Sequence, residues 1–240
     1  MFLIANSLMD GFFGSNLMGQ GIVLLQLLSS LLMVACIIGK SLELSAVKSE
    51  VKRFLNDFAS YDDVIGYYVK RRPHVAKGIV ALYKDTCERL MRIVEPDLRE
   101  RVARGGADTA PLGLSAREIE LVRGTCEHRL DEEEIYLERR MSTISTIVAI
   151  APMMGLLGTV WGVLDAFHEM GTAGSANLAT IAPSISAALV TTVVGLLVAF
   201  PGIIAYNCLN ARIRSITSDF EGFADELTTR IACEFQGKAA

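Results

Sequence analysis

Lysine and arginine are missing from two long stretches of this 240-residue chain. Neither occurs in residues 1–39 or in residues 141–211, although the chain carries 23 of them. A soluble domain distributes charge along every surface-facing segment, so these gaps exclude an ordinary soluble fold. No positive charge precedes the first apolar run, which argues against a secretory signal peptide. We therefore expect this first run to stay in the mature protein.

Features of nucleic-acid-binding and metal-binding proteins are scarce as well. The net charge is −4 and the pI about 5.5, whereas a nucleic-acid-binding domain carries a basic patch. The five cysteines include no pair at the two-residue spacing of a zinc site, and we predict no disulfide, metal or cofactor. The acidic run at residues 131–134 has one histidine near it, so we interpret it as a solvated helix face.

Three apolar windows are each long enough to cross a bilayer, whose hydrocarbon core requires about 20 helical residues. They cover residues 17–39, 141–167 and 178–207. Hydrophobic residues make up 51% of the chain and its mean hydropathy is +0.39, as expected of a membrane protein. Between the second and third windows, residues 168–177 are rich in glycine, serine and threonine and predict a short loop.

The basic residues predict an orientation, because the cytoplasmic flanks of membrane spans are enriched in lysine and arginine. Lysine or arginine flanks one end of each window, at Lys40, Arg140 and Arg212, whereas residues 1–16 and 168–177 contain neither. This pattern predicts an N-terminus outside the cytoplasm and a C-terminus inside it. Residues 1–16 are predicted to form an amphipathic segment at the outer membrane surface, with a disordered leader as the alternative.

The remaining segments, residues 40–140 and 208–240, show apolar residues at helical spacing and no strand-like alternation. We predict a cytoplasmic helical domain and a cytoplasmic C-terminal helix, and therefore an all-α fold. Ser115 followed by Glu118 is a capping-box pattern that starts one of the helices. Since no helix breaker lies at Lys40 or Arg139, the helices on either side of the domain are predicted to continue directly into the spans.

The second and third windows are rich in small and hydroxylated residues, which let helix backbones approach closely in membranes. In the second window, Gly158 and Gly162 stand at a spacing of four. In the third window a stripe of small residues shares one helix face, at Ser184, Ala188, Thr192 and Gly195. Tight helix packing and a narrow, partly hydrated lumen both explain such a stripe.

Aspartate, glutamate, lysine, arginine and histidine are all missing from residues 141–164 and 170–211. Proton pathways through membranes usually use an ionisable group inside the membrane. The chain could therefore conduct protons only with a partner that supplies such a group. Pro152 adds one polar feature, because it leaves the Val148 carbonyl without its helical donor, and a neighbouring helix or water must satisfy that oxygen.

A specific motif lies in the second window, where Gly155 to Gly162 read Gly-Leu-Leu-Gly-Thr-Val-Trp-Gly. The third window adds Ile-Ala-Pro-Ser-Ile from Ile181, Thr-Val-Val-Gly from Thr192, and Pro201. Together with the layout of three windows, these residues resemble the ExbB/TolQ branch of the MotA/TolQ/ExbB proton-channel family. The short N-terminal segment and the stretch from Tyr206 to Arg212 resemble its TolQ-like members slightly more.

The resemblance implies a homopentamer in the bacterial inner membrane that surrounds two single-span ExbD/TolR-like helices, each bearing an Asp. Protons crossing through that Asp would drive rotation and energise a TonB- or TolA-like periplasm-spanning protein. The family's pore-facing threonines correspond to Thr159 and Thr192, which agrees with the stripe, and Ser184, Ala188 and Gly195 would line the same pathway. The prolines expected to shape the helices are Pro152, Pro183 and Pro201.

One position departs from the family pattern, which usually reads Ala-Pro-Gly-Ile-Ala-Glu-Ala-Leu where this chain has Ala187 in place of Glu. We favour the explanation that the partner's Asp with Thr159 and Thr192 suffices. The alternatives are that Ser184 and Ser186 bridge the gap with water, or that the ion differs. A non-conducting pentameric scaffold is the alternative function. The spans hold no catalytic dyad, metal pattern or nucleophile elbow, so no enzyme is predicted.

Overall fold

Every regular element in the described part of the chain is an α-helix, which confirms the all-α prediction. The computed structural model describes residues 17–61, 64, 67–68, 77–103, 113–173 and 178–235. The predicted amphipathic segment at residues 1–16 lies outside these ranges. The helices are α1 (Leu17–Phe58), α2 (Gly78–Ala103), α3 (Ala116–Glu138), α4 (Met141–Ala173) and α5 (Leu178–Phe235).

The chain divides into two compact units. The first, here the membrane unit, comprises Met1–Ser41 and Arg140–Asn210, and the second, the polar unit, comprises Leu42–Arg139 and Ala211–Ala240. The three predicted spans are confirmed by length and composition, since three described helical stretches are long and apolar enough to cross a membrane. They are found in α1, in the stretch formed by α3 and α4, and in α5.

Large apolar side chains cover the outer surface of the membrane unit. A water-soluble unit rarely leaves so many of them exposed together, whereas a bilayer or a neighbouring subunit covers them without cost. Side chains from all three helices of the unit contribute to this surface, among them Leu28, Leu31, Met153, Leu197 and Phe200.

The helix boundaries differ from prediction on both sides of α4. Helix α1 runs through Lys40 without a break, as predicted, but the chain breaks between α3 and α4, where Arg140 adopts a positive φ of 71°. Arg139 is also non-helical, with φ −54° and ψ 136°. The prediction of a continuous helix there was wrong, because an arginine in the left-handed region carries no sequence signature. At its other end α4 continues to Ala173, so the first part of the predicted loop at residues 168–177 is helical.

Aromatic rings form the core of the polar unit. Phe54 and Phe58 of α1 contact Tyr83 of α2 and Phe223 of α5, with ring centroids between 5.1 and 5.7 Å apart. The Tyr83 hydroxyl donates to the backbone oxygen of Val64 at 2.5 Å. Burial is the main cause that raises the pKa of this phenol. These contacts hold helices that are distant in sequence around one apolar centre.

Helix α3 begins with the predicted capping box and buries part of its acidic run. The Ser115 hydroxyl accepts from the Glu118 backbone N–H, and the Glu118 carboxylate accepts from Ser115, which lowers the carboxyl pKa of Glu118. The interpretation of residues 131–134 as a solvated face was wrong for Glu133, which is only 8% exposed. Its carboxylate accepts from Arg129 at 2.9 Å, so the buried charge has a partner.

Candidate functional site

Helices α4 and α5 of the membrane unit meet along a seam of glycines. A methyl carbon added to Gly155 would lie 2.9 Å from the Cα of Thr192. The same addition at Gly158 would lie 2.7 Å from the Cβ of Thr191, closer than real side chains come. The small residues of α4 therefore allow close helix packing, and at Gly158 tight packing is the explanation that the structure confirms.

Two residues of the predicted stripe on α5 belong to the same packing. Ala188 is only 4% exposed and faces Gly162. A Cβ on Gly195 would lie 2.6 Å from the Ala151 carbonyl oxygen and 2.9 Å from the Gln26 side-chain nitrogen. For Ala188 and Gly195 these contacts within one chain favour tight packing over a lumen. Ala187, at the position of the family's Glu, is 3% exposed and likewise buried.

The two threonines singled out from the sequence do come together. The Thr192 hydroxyl donates to the Gly155 carbonyl oxygen at 2.9 Å and lies 3.4 Å from the Thr159 hydroxyl oxygen. The Thr159 hydroxyl donates to the Leu156 carbonyl oxygen at 2.7 Å. Both side chains are partly exposed, and each oxygen keeps an acceptor site for a donor from water or a partner helix.

Ser184 and the three prolines stand apart from this pair. The Ser184 hydroxyl donates to the Glu169 carboxylate at 3.1 Å, in an exposed contact between α5 and the C-terminal part of α4. The structure thus places Ser184 beside a carboxylate and gives it no described bond to either threonine. The helices continue through all three prolines, with Pro152 inside α4 and Pro183 and Pro201 inside α5.

Sequence reasoning missed two polar residues of the membrane unit. Thr191 is 2% exposed and donates to the Ala188 oxygen at 2.7 Å and to the Gly155 oxygen at 3.1 Å. Gln26 of α1 is 1% exposed and donates to the Ala151 oxygen at 3.3 Å. A side-chain amide inside a long apolar run was the available signal for Gln26, since such a group needs a partner in the membrane.

Comparison with known proteins decides the family. Residues 94–222 match the MotA/TolQ/ExbB proton channel family. The chain belongs to this family. Its members are channel and transducer proteins, so this MotA/TolQ/ExbB protein is an inner-membrane channel-family protein and not an enzyme. The resemblance predicted from the motif at Gly155 to Gly162 is thereby confirmed.

The relatives lie in the ExbB/TolQ branch of the family. The Tol-Pal system protein TolQ of Haemophilus influenzae is 30% identical over 235 residues, which is 96% of each chain. The TolQ of Pseudomonas aeruginosa is 40% identical over 97 residues, 40% of this chain and 42% of that one. The biopolymer transport protein ExbB of Xanthomonas campestris is 34% identical over 124 residues, 52% of this chain and 49% of its own. The full-length match to a TolQ favours the TolQ-like side of the branch.

Proposed function

We propose that this chain is the proton-channel subunit of a membrane motor energised by the proton motive force. Five copies surround two single-span ExbD/TolR-like helices, each of which carries an Asp in the membrane. Proton passage drives the movement of a TonB- or TolA-like protein that spans the periplasm. Relatives named for the Tol-Pal system and for biopolymer transport support this proposal.

The Thr159–Thr192 pair is the observation that carries the proposal. Its hydroxyls lie 3.4 Å apart on a partly exposed surface, while the glycine seam beside them is closed. Hydroxyls do not titrate near neutral pH, so they orient water or a carboxyl group and do not carry the charge themselves. The missing charge carrier is the Asp of the partner, because residues 141–164 and 170–211 contain no Asp, Glu, Lys, Arg or His.

The proposed orientation follows the distribution of positive charge. With spans at residues 17–39, 141–167 and 178–207, this distribution supports an N-terminus in the periplasm and a C-terminus in the cytoplasm. The polar unit then lies in the cytoplasm. One elementary charge that crosses 100 mV releases about 2.3 kcal/mol. An average interhelical hydrogen bond in a membrane is worth about 0.6 kcal/mol, so a few protons suffice to rearrange several contacts.

The test uses the chain co-expressed with a single-span, Asp-bearing partner. We expect a native mass of five chains of 26.1 kDa plus two partner chains, and proton flux after reconstitution into vesicles. Thr159→Val and Thr192→Val should assemble normally and lose most of that flux. Thr146→Val is the matched control, because Thr146 also bonds a carbonyl of its own helix, at 2.8 Å, but lies outside the pair.

Three outcomes separate the motor from the alternatives. If the threonine variants form the full complex and keep their flux and their biological activity, the pair has no role in conduction. A correctly sized complex without any flux would favour the non-conducting pentameric scaffold. A chain that stays monomeric or dimeric with the partner present would overturn both assignments.

A further inference from the structure

The side-chain oxygen of Gln26 is buried in the membrane unit without a hydrogen-bond partner among the described residues. Its amide nitrogen donates to the Ala151 carbonyl oxygen at 3.3 Å. The opposite amide orientation would set two acceptor oxygens against each other, so this bond fixes which way Oε1 points. A buried acceptor with no donor is rare in proteins and signals a bound water or ion.

Gln26 lies in the middle of its span. It is nine residues beyond Leu17, where α1 begins, and fourteen residues before Lys40, the first basic residue of the chain. With a rise of about 1.5 Å per residue, Oε1 is roughly 20 Å from the level of Lys40. Bulk water does not reach a group at that depth, so its donor must be an individual ordered molecule or a side chain.

The carbonyl oxygen that accepts from Gln26 and the one that accepts from Thr192 follow each other along α4. Ala151 and Gly155 are one helical turn apart on α4, and the Gly155 oxygen accepts from Thr192. Gly195 makes room for this arrangement, because a Cβ there would lie 2.9 Å from the Gln26 nitrogen and 3.3 Å from the Gly155 Cα. The seam thus brings a polar side chain of α1 to within a turn of the Thr159–Thr192 pair.

We propose that Gln26 Oε1 holds a water molecule inside the membrane, and that this water continues the pathway of the Thr159–Thr192 pair on its α1 side. The inference rests on the proposed channel function. The water donates one hydrogen to Oε1 and keeps a second for the next acceptor along the pathway.

Gln26 acts in this scheme as a positioning residue. A proton that arrives on the Gln26-bound water is matched by another that leaves it for the next water. No bond to the protein forms or breaks, and neither Gln26 nor a threonine changes its protonation state. The amide sets the place and direction of the water, whereas the charge-carrying carboxyl group is supplied by the partner.

The first experiment measures proton flux of the reconstituted complex with Gln26→Met, which keeps the size of the side chain and removes its polar atoms. We expect normal native mass and a flux lower by about tenfold, the rate equivalent of one lost hydrogen bond. Gln26→Glu should restore flux and make it depend on pH, which a purely structural role would not produce. Met33→Leu is the control, since Met33 is a buried apolar residue of the same helix.

The outcomes distinguish this inference from the proposed function. If Gln26→Met conducts like the wild type while Thr192→Val does not, the inference is overturned and the channel function stands. If neither variant alters flux, the complex still conducts, but the inference about Gln26 and the role of the Thr159–Thr192 pair are both overturned. Should Gln26→Met not assemble, a structure of the wild-type complex that resolves ordered water decides the matter. Density within hydrogen-bond distance of Oε1 supports the site, and its absence overturns it.

Discussion

Gly162 of α4 and Ala188 of α5 touch so closely that a methyl carbon on the glycine would lie 2.5 Å from the alanine Cβ. We expect Gly162→Ala to lower the free energy of unfolding by about 1–3 kcal/mol, because the two helices would have to separate. Thermal unfolding of the purified protein in detergent measures this. Gly171→Ala in the same helix is the control, since nothing lies within 4 Å of its added methyl group. Equal effects at both glycines would contradict close packing at Gly162.

The cap of α3 predicts a loss of stability in the polar unit. Ser115→Ala removes the acceptor for the Glu118 N–H and should cost about 1 kcal/mol of unfolding free energy. Faster hydrogen exchange at the Glu118 amide would show the loss locally. The comparison variant is Thr125→Ala, whose hydroxyl bonds only the Leu121 oxygen of its own helix among the described residues. The prediction is wrong if Ser115→Ala and Thr125→Ala are equally stable.

The ion pair between Arg129 and the buried Glu133 predicts that substitution of Arg129 makes the stability of the protein depend on pH. Burial raises the pKa of Glu133, and the guanidinium of Arg129 opposes that rise. Arg129→Met should destabilise the protein by about 1–3 kcal/mol at neutral pH, since the buried carboxylate of Glu133 loses its charged hydrogen-bond donor. Asp85 and Glu132 also contact Arg129, but both are more exposed and depend on it less.

The sign of the pH effect follows from the raised pKa of Glu133. As pH falls through that value, the folded variant takes up a proton that the unfolded chain does not yet bind, so the folded state gains stability. The penalty of Arg129→Met should therefore shrink on acidification. Unfolding temperatures between neutral pH and pH of about 5 measure it, with Arg123→Met on the same helix for comparison. A penalty that stays constant over this range would contradict the assignment to Glu133.

The turn between α3 and α4 predicts that glycine substitutions at two adjacent arginines change stability in opposite directions. Arg140 has φ 71°, which costs a side-chain-bearing residue about 1 kcal/mol, so Arg140→Gly should be as stable as the wild type or more so. Arg139 has φ −54°, and Arg139→Gly should lose stability because glycine adds freedom to the unfolded chain. Chemical or thermal unfolding of the two variants side by side checks the sign. A loss of stability in Arg140→Gly would show that contacts of the arginine side chain outweigh the cost of its left-handed backbone conformation.

The sequence was sufficient for features that depend on local pattern. The three spans follow from the length of apolar runs, and the start of α3 follows from the spacing of Ser115 and Glu118, because both rest on neighbours along one helix. The break at Arg140 did not follow, since a left-handed conformation at arginine is imposed by tertiary structure. Glu133 was assigned to solvent for the same reason, as its burial depends on α2 as well as its own helix.

The candidate site was predictable only in part. Thr192 was identified by the stripe and both Thr159 and Thr192 by the family resemblance, and the structure places them 3.4 Å apart. Ala188 and Gly195 shared that stripe, but periodicity cannot tell a face that lines a lumen from one that packs against a neighbour. Gln26 escaped notice because its partner, Ala151, is 125 residues away along the chain. Such a contact is decided by how three helices meet.

The glycine seam has a mechanical consequence. Glycine and alanine have no side-chain torsions. The spacing of α4 and α5 therefore cannot adjust by repacking at Gly155, which meets backbone atoms of Thr192, or at Gly162, which meets Ala188. The two helices should tilt and translate together as one rigid body. Any sliding during a working cycle then belongs to the outer faces, where leucine and phenylalanine side chains can slip over lipid or a neighbouring subunit.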